Sequence, residues 1–357
     1  MLVLVTGGTG FVGAHTVAAL TRVGHSVRLL ARDVSTVEHA LAPLGVSGDV
    51  VEVMLGDVTD QAAVSRAVRG ADAVLHAAGV YTFDSRRHRQ ISRTNVRGTE
   101  LVLSAARRFA VGRSVYVSTV GAMLPVAGGV LRLDSPPGRP RERYLASKAA
   151  AEALARQHQA QGDPVTIVYP PALLGPHDPR IGDQTARLRY LLRGMMPVWP
   201  DGGFPLGDVR DTARLLAALL DAPRRGPDRH FGPGRHVSTA EYVRTVREAT
   251  GRSLRTMFLP ARGMLPFAYA ASLFQRVWPW YIPAEYGACY VCACDARSAD
   301  APPALGLRPR PLVETIADTV RWLHGARLLS DGQAGTAVSA VCRCGDAAPV
   351  RQEETRR

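Results

Sequence analysis

The run Met1-Leu-Val-Leu-Val-Thr-Gly-Gly-Thr-Gly-Phe-Val-Gly13 decides the fold. Leu2 to Val5 are continuously apolar, as in a strand buried on both faces, and lead straight into glycines at 7, 10 and 13. Ala14 to Arg22 then has helical character, and Gly24 stops it. Strand, glycine-rich turn and helix in this order bring Gly7, Gly10 and Gly13, with Phe11 and Val12 between them, to a helix N-terminus. Bare backbone lets a pyrophosphate approach there, and the amides and helix dipole favour its charge. A bound dinucleotide is the expectation.

The alternation continues outward. Ser26 to Ala31 reads as a second strand ending in Arg32-Asp33, some twenty residues past the glycines. An acidic side chain at this point would take the ribose hydroxyls of NAD, an arginine the 2′-phosphate of NADP. Arg32 comes first, so NADP(H) is favoured, with NAD(H) the alternative. A third strand, Val50 to Leu55, ends at Gly56-Asp57-Val58, with Thr59 expected to cap the next helix and Asp57 to take an adenine amino group or to serve as an ordinary turn acid. A fourth strand, Ala73 to Leu75, ends in His76-Ala77-Ala78-Gly79, and a fifth, Ser114 to Val117, runs into Ser118-Thr119. Short apolar strands alternating with helices predict an α/β fold: a doubly wound parallel Rossmann sheet over residues 1–170, with strand C-termini forming one crevice.

A second motif lies at Tyr144-Leu-Ala-Ser-Lys148. Residues four apart share a helix face, so phenol and ammonium can reach one ligand. A nearby cation lowers a phenol from its usual value of about 10 by roughly 1–3 units, which suits a proton shuttle. Lys148 is the only lysine among 44 Lys+Arg, at a place where a planar guanidinium would not substitute for a compact ammonium.

Composition bounds the rest. With 357 residues and 46% hydrophobic content the chain can bury a large core. The net charge of +13 comes from scattered arginines, without a basic stripe interleaved with aromatics or zinc-finger spacing, so nucleic-acid binding is not expected and attraction for an anionic cofactor is. The five cysteines (Cys289, Cys292, Cys294, Cys342, Cys344) lack zinc-site spacing; the first three are expected in a half-buried strand from Ala288 to Cys294, and no metal is expected. The chain opens directly in a strand, without room for a cleaved leader, and a cytoplasmic protein is expected.

Taken together, Thr6-Gly-x-x-Gly-x-x-Gly13, Gly56-Asp57-Val58, His76-Ala-Ala78, Asn95-Val-x-Gly-Thr99, Val117-Ser-Thr119, Tyr144-x-x-x-Lys148 and Pro171-x-x-x-Gly-Pro176 resemble an extended short-chain dehydrogenase/reductase of the NAD-dependent epimerase/dehydratase superfamily, over roughly residues 1 to 325. Val27-Arg28 leading to Ala31-Arg32-Asp33 is similar to its dihydroflavonol-reductase-like and hopanoid-associated epimerase-like branch. The resemblance implies Tyr144 as general acid or base, Lys148 lowering its pKa and holding the nicotinamide ribose, and Thr119, 25 positions before the tyrosine, bonding the reacting oxygen, with Ser118 as runner-up. It implies Asn95 in ordering a turn or relaying a proton. Cofactor contacts are implied at Gly7, Gly10, Phe11, Val12, Gly13, Arg32, Asp57, Val58, His76, Ala77, Ala78, Tyr144, Lys148 and Pro171. Pairing of two copies is common in the family.

Sugar-nucleotide members often carry an aromatic-Phe-Asn stretch whose asparagine contacts the diphosphate. Here the residues are Val168-Tyr-Pro-Pro171, which favours a smaller or more lipophilic carbonyl compound, with Tyr81 and Phe83 as candidate pocket residues. Residues 171–325 are expected to form a mixed α/β substrate lobe, from which a segment near 206–222 returns to the main sheet. Ser238-Thr-Ala-Glu241 opens a helix that ends at Gly251. Gly263 to Pro283, rich in aromatic and aliphatic residues and interrupted by prolines, reads as a helix covering an apolar pocket rather than a membrane span, with membrane-surface contact as the minority reading. Leu312 to Leu323 is a last helix, and 326–357 is expected to be a disordered tail. Three functions remain: an oxidoreductase that releases its cofactor changed, an epimerase or dehydratase that restores it within each turnover, and a non-catalytic cofactor sensor. The intact Tyr144, Lys148 and Thr119 set favours the first two, and the missing asparagine favours the first.

Overall fold

A computed structural model describes residues 1–81, 88–222, 229–274, 286–299 and 304–339. Expectations for Phe83, Cys342 and Cys344, and for the part of the aromatic stretch with Trp278, Trp280 and Tyr281, lie outside these residues.

Strands β1 (Leu2–Thr6), β2 (Ser26–Ala31), β3 (Val51–Leu55), β4 (Ala73–His76) and β5 (Arg113–Val117) alternate with helices α1 (Phe11–Arg22), α2 (Val34–Leu41), α3 (Gln61–Val68), α4 (His88–Ser92) and α5 (Gly98–Arg108). The two-residue β6 (Val130–Leu131) precedes α6 (Arg143–Ala160) and β7 (Val165–Tyr169). There follow β8 (Ala172–Leu174), α7 (Asp183–Leu192), β9 (Val198–Asp201), β10 (Gly203–Asp208), α8 (Val209–Asp221), β11 (Arg229–Phe231), β12 (Arg235–Ser238), α9 (Thr239–Thr250) and β13 (Met257–Pro260). The described chain closes with α10 (Ala261–Phe274), α11 (Tyr286–Cys294), β14 (Arg297–Ser298), α12 (Leu312–Gly325), α13 (Asp331–Ala334) and α14 (Thr336–Ser339).

Seven strands form one sheet in the order β11-β7-β5-β4-β1-β2-β3, and every pairing is parallel. The order reverses between β1 and β4, and there the C-terminal ends open a crevice between diverging connections. Because β1 is central, both of its faces are buried. Val3 and Val5 join a core with Val17 and Leu20 of α1 and Leu216 of α8, while Leu4 points to the opposite core with Val64, Val68 and Val102. The doubly wound reading is therefore correct, with α8 lying against α1 on the first face.

A second core gathers Trp199, Phe204, Tyr242, Val243, Ile316 and Leu323 around small sheets β12-β10-β8 and β13-β9. Three expectations fail outside the main sheet. Asp60, not Thr59, caps α3, accepting the amides of Ala62 and Ala63. Residues 286–294 form helix α11 instead of a strand: Cys289 and Cys292 are buried against neighbouring elements, and a short apolar run has no period strong enough to separate the two. The chain does not lose structure at Ala326. Leu329, Ala334 and Ala337 pack into the second core, and Ser330 with Gln333 forms a reciprocal capping box for α13.

Candidate active site

The glycine turn is built by backbone contacts that leave no room for side chains. Gly7 has a φ of 77°, and a Cβ there would lie 2.5 Å from the Ala78 nitrogen; a Cβ at Gly13 would lie 2.1 Å from the Gly7 carbonyl oxygen. Gly10 donates its amide to Gly7 O (2.9 Å), closing the turn at the N-terminus of α1. A cradle of this shape fits a pyrophosphate, as the sequence predicts. Gly7, Gly10, Phe11, Val12 and Gly13 line a cleft of about 1050 Å³, joined by Arg32, Asp57, Val58, Ala77, Ala78, Ser118, Thr119, Tyr144, Lys148 and Pro171.

Arg32 and Asp33 differ in how they are used. Asp33 caps α2, its carboxylate accepting both the amide and the hydroxyl of Ser35 at 2.9 Å. Those hydrogen bonds hold its carboxyl below the usual range. Arg32 is exposed at the cleft wall, and among the described residues it has no hydrogen bond or ion pair. Asp57 orders the turn after β3. Partial burial opposes its ionisation, but the amide and hydroxyl of Thr59, both 2.8 Å from Oδ1, together with Arg32 and Arg93, bring its carboxyl below the ordinary value.

His76 does not face the cleft. Thr99 Oγ1 donates to Asn95 O (2.7 Å), so it accepts the proton of His76 Nε2 (3.0 Å), and Thr6 Oγ1 donates to His76 Nδ1 (2.7 Å). Burial, with Lys148 nearby, lowers its pKa to about 3, so the ring is neutral. His76 is thus a strut beneath the cofactor groove, tying β1 and β4 to α5, and its assignment as a cofactor contact is withdrawn.

Helix α6 carries Tyr144 and Lys148. Its N-cap is Glu142, whose carboxylate accepts the amides of Tyr144 (3.0 Å) and Leu145 (2.7 Å). This fixes the first turn and the origin of the Tyr144 side chain. Tyr144 and Lys148 are both buried. Lys148 Nζ donates to Val117 O (2.9 Å) and lies 5.0 Å above the Tyr116 ring, which stacks in turn on His76. Burial lowers the pKa of Lys148 to about 8, against the opposing pull of Glu152. The expected lowering of the Tyr144 phenol is not seen: burial raises it, helped by Glu142 and Asp183. The ammonium faces the end of β5, so its field is spent on a carbonyl and an aromatic face in this structure.

Asn95 lies in a π-helical turn over residues 93–97. Its Oδ1 accepts the Val80 amide (2.7 Å), and its Nδ2 donates to Val80 O (3.2 Å) and Ser147 Oγ (2.9 Å). Ser147 Oγ donates to Tyr144 O (2.6 Å), so Asn95 joins the loop after β4 to α6. Thr119 Oγ1 accepts the Gly121 amide (3.2 Å) and donates weakly to Pro170 O (3.5 Å). Ser118 Oγ is buried with no hydrogen-bond partner among the described residues.

Sequence reasoning missed Glu152. Tyr144, Lys148, Glu152 and Arg156 are spaced by four along one helix face. Glu152 is fully buried, and its Oε1 accepts from Arg156 Nε (2.7 Å) and Tyr169 Oη (2.5 Å). The signal was legible as the continuation of the four-residue spacing. Also missed were Met196, Trp199 and Leu259 in the cleft lining, whereas Met264 and Phe267 come from the helix that the sequence reads as covering an apolar pocket. Tyr81, which was anticipated, meets Tyr144 edge-on at 5.0 Å.

Fold and site define an NAD(P)-dependent enzyme of the extended short-chain dehydrogenase/reductase class. The chain belongs to the NAD dependent epimerase/dehydratase family, which it matches over residues 3–234. It is 28% identical over 330 residues to sterol demethylase protein B of Methylococcus capsulatus, across 91% of this chain and 98% of that one. It is 30% identical over 295 residues to the 4-hydroxy-2-methyl-3-oxo-4-farnesyl-3,4-dihydroquinoline-1-oxide ketoreductase of Stigmatella aurantiaca, across 79% and 82%. The crystal structure of gox2253 shares the fold, with a TM-score of 0.75 at 24% identity, covering 92% of this chain and 99% of that one. Among the described residues no helix is long and apolar enough to cross a membrane.

Proposed function

We propose that the protein is an NADPH-dependent reductase of a lipophilic ketone or aldehyde, with oxidation of the alcohol as the reverse reaction. One observation carries this reading. The cleft that holds the glycine cradle and Tyr144 is also lined by Met196, Trp199, Met264 and Phe267, an apolar group suited to hydrocarbon, alongside Asp183, Gln184 and Arg187 of α7. The names of the sterol and farnesyl-quinoline relatives accord with it.

The nicotinamide supplies or accepts the hydride when bound. The protein's own groups do the rest. Gly7, Gly10 and Gly13 would receive the pyrophosphate, Asp57 would take an adenine amino group, and Arg32 would offer its guanidinium to a 2′-phosphate, all of them lining one cleft. Asp33 is occupied as a cap, so the arginine is the better-placed of the two. Tyr144 donates a proton to the carbonyl oxygen as the alkoxide develops. Its raised pKa keeps the phenol protonated at neutral pH, ready to act as acid. Lys148 would supply a donor for ribose hydroxyls, and Thr119 or Ser118 would complete the hold on the reacting oxygen. Pro170 and Pro171 stand in the cleft wall with no side-chain amide to offer a diphosphate.

The test is loss of NADPH absorbance with ketones and aldehydes ranging from aromatic and steroid-like compounds to keto-sugars. Net oxidation with a greasy substrate, abolished in Tyr144→Phe, is the expected result. Tight cofactor binding without net oxidation of any carbonyl, together with a stereochemical change in a nucleotide sugar, would overturn it in favour of an internally recycling epimerase.

A further inference from the structure

We infer that the outer face of α10 is a docking surface for an anionic lipid bilayer, placing the apolar mouth of the cleft against the membrane. A surface helix ordinarily turns its apolar stripe inward and its charges to water. Helix α10 does otherwise. Its buried positions Ala261 and Ala268 face the protein, while Phe267 (78% exposed), Tyr269 (55%), Phe274 (49%) and Leu273 (43%) face outward. At 3.6 residues per turn, these four and Arg262 and Pro266 fall within an arc of about 160°. Within that arc Arg262 is the sole charged side chain. An outward arc of large apolar groups on an otherwise ordinary surface marks a contact site.

Two observations identify the occupant as a bilayer with anionic headgroups. First, from Gly251 to Phe274 the chain has arginines at 252, 255 and 262 and no aspartate or glutamate, and Arg255 and Arg262 are exposed. An exposed arginine, Arg262, on the apolar face itself, in a segment without acidic residues, matches the headgroup and acyl layers of an anionic membrane surface. Second, the face is continuous with the cleft: Phe267 is at once the most exposed large apolar group and a cleft-lining residue, and exposed Leu259 and Met195 line the same mouth. A lipophilic substrate could then pass from bilayer to Tyr144 without crossing water. That route rests on the proposed substrate class, whereas the docking itself rests on the helix face and its charge.

The experiment is co-sedimentation of the full-length protein, without cofactor or substrate, with vesicles of phosphatidylcholine alone or mixed with phosphatidylglycerol. Leu273→Gln and Arg262→Gln alter the face without touching the cleft lining, and an unchanged thermal unfolding midpoint serves as the folding control. We expect binding to the mixed vesicles to exceed binding to the neutral ones severalfold, and to fall roughly fivefold in Arg262→Gln and about tenfold in Leu273→Gln. Equal, weak sedimentation with both vesicle types would overturn the inference. So would binding that neither substitution changes, since scattered arginines would then account for it. A dimer in analytical ultracentrifugation that Leu273→Gln converts to monomer would also overturn it, assigning the face to a second copy of the chain. Because no substrate is present, failure here leaves the reductase reading intact, and failure of the reductase assay leaves vesicle binding to be judged separately.

Discussion

The two ends of the cleft are built on different principles. At the cofactor end the ligand surface is largely backbone: glycines at positions where a Cβ would collide with a main-chain atom, a helix N-terminus, and polar side chains such as Asp33 and Asp57 already committed to turns and caps. At the substrate end the surface is side chain: Met196, Trp199, Leu259, Met264 and Phe267, supplied by separate small elements of the second core's lobe. Backbone recognition tolerates few sequences, whereas an apolar wall can be made from many. The difference teaches that changes at the first end should affect every substrate alike, and changes at the second should discriminate between substrates.

The largest effect expected on this account is Tyr144→Phe, with kcat lower by about 10²–10⁴-fold for every carbonyl substrate and NADPH affinity retained. A loss confined to lipophilic substrates would break the division. Next, Arg32→Ala should weaken NADPH binding by roughly 10–100-fold, as for a lost charge-assisted contact, and leave NADH binding nearly unchanged. Isothermal titration with both cofactors decides this, and equal losses would return the 2′ end to Asp33. Smaller still, Met264→Ala should cost about tenfold in kcat/KM for a long-chain ketone and little for a short one, since only the former fills the apolar end.

The smallest effect sharpens the comparison at its junction. If protonated Lys148 supports the reaction, kcat/KM for reduction should be flat at neutral pH and fall as pH rises through about 8, because burial brings the lysine's pKa down to that value. The Glu152 carboxylate raises the same pKa, so its removal must lower it: in Glu152→Gln the falling limb should move to lower pH while the plateau below it is kept. The amide oxygen of the substituted side chain would still accept from the Tyr169 hydroxyl, which separates a charge effect from loss of packing. An unchanged limb would assign Glu152 to structure alone.

The same division explains how much the sequence disclosed. The main sheet, the glycine cradle and the Tyr144 helix were legible because each rests on a local rule: apolar runs of strand length, glycines before a helix, and a four-residue spacing. His76 was misassigned because sequence places a residue at a strand end but not the direction of its ring, and both ring nitrogens are taken by Thr6 and Thr99. The pKa effect of Lys148 on Tyr144 failed for a related reason, as the ammonium turns toward Val117 O while burial controls the phenol. Tyr286 to Cys294 was read as a strand because nine apolar or small residues carry no decisive period. The segment from Asp331 to Ser339 was read as tail, although its Ser330 and Gln333 capping pair is a local signal that could have revealed it. Of the apolar lining, the helix carrying Met264 and Phe267 was legible from its run of apolar residues, but Met196, Trp199 and Leu259 were not, since their place depends on which distant elements meet.

The most direct test of the central claim follows the hydride itself. Purified protein would be mixed with NADPH deuterated at nicotinamide C4 and a lipophilic ketone, and product and cofactor analysed by mass spectrometry. The account predicts an alcohol that carries the deuterium on its carbinol carbon, with one oxidised cofactor released per product. Deuterium left in the reduced cofactor, with the ketone recovered unreduced, would contradict it.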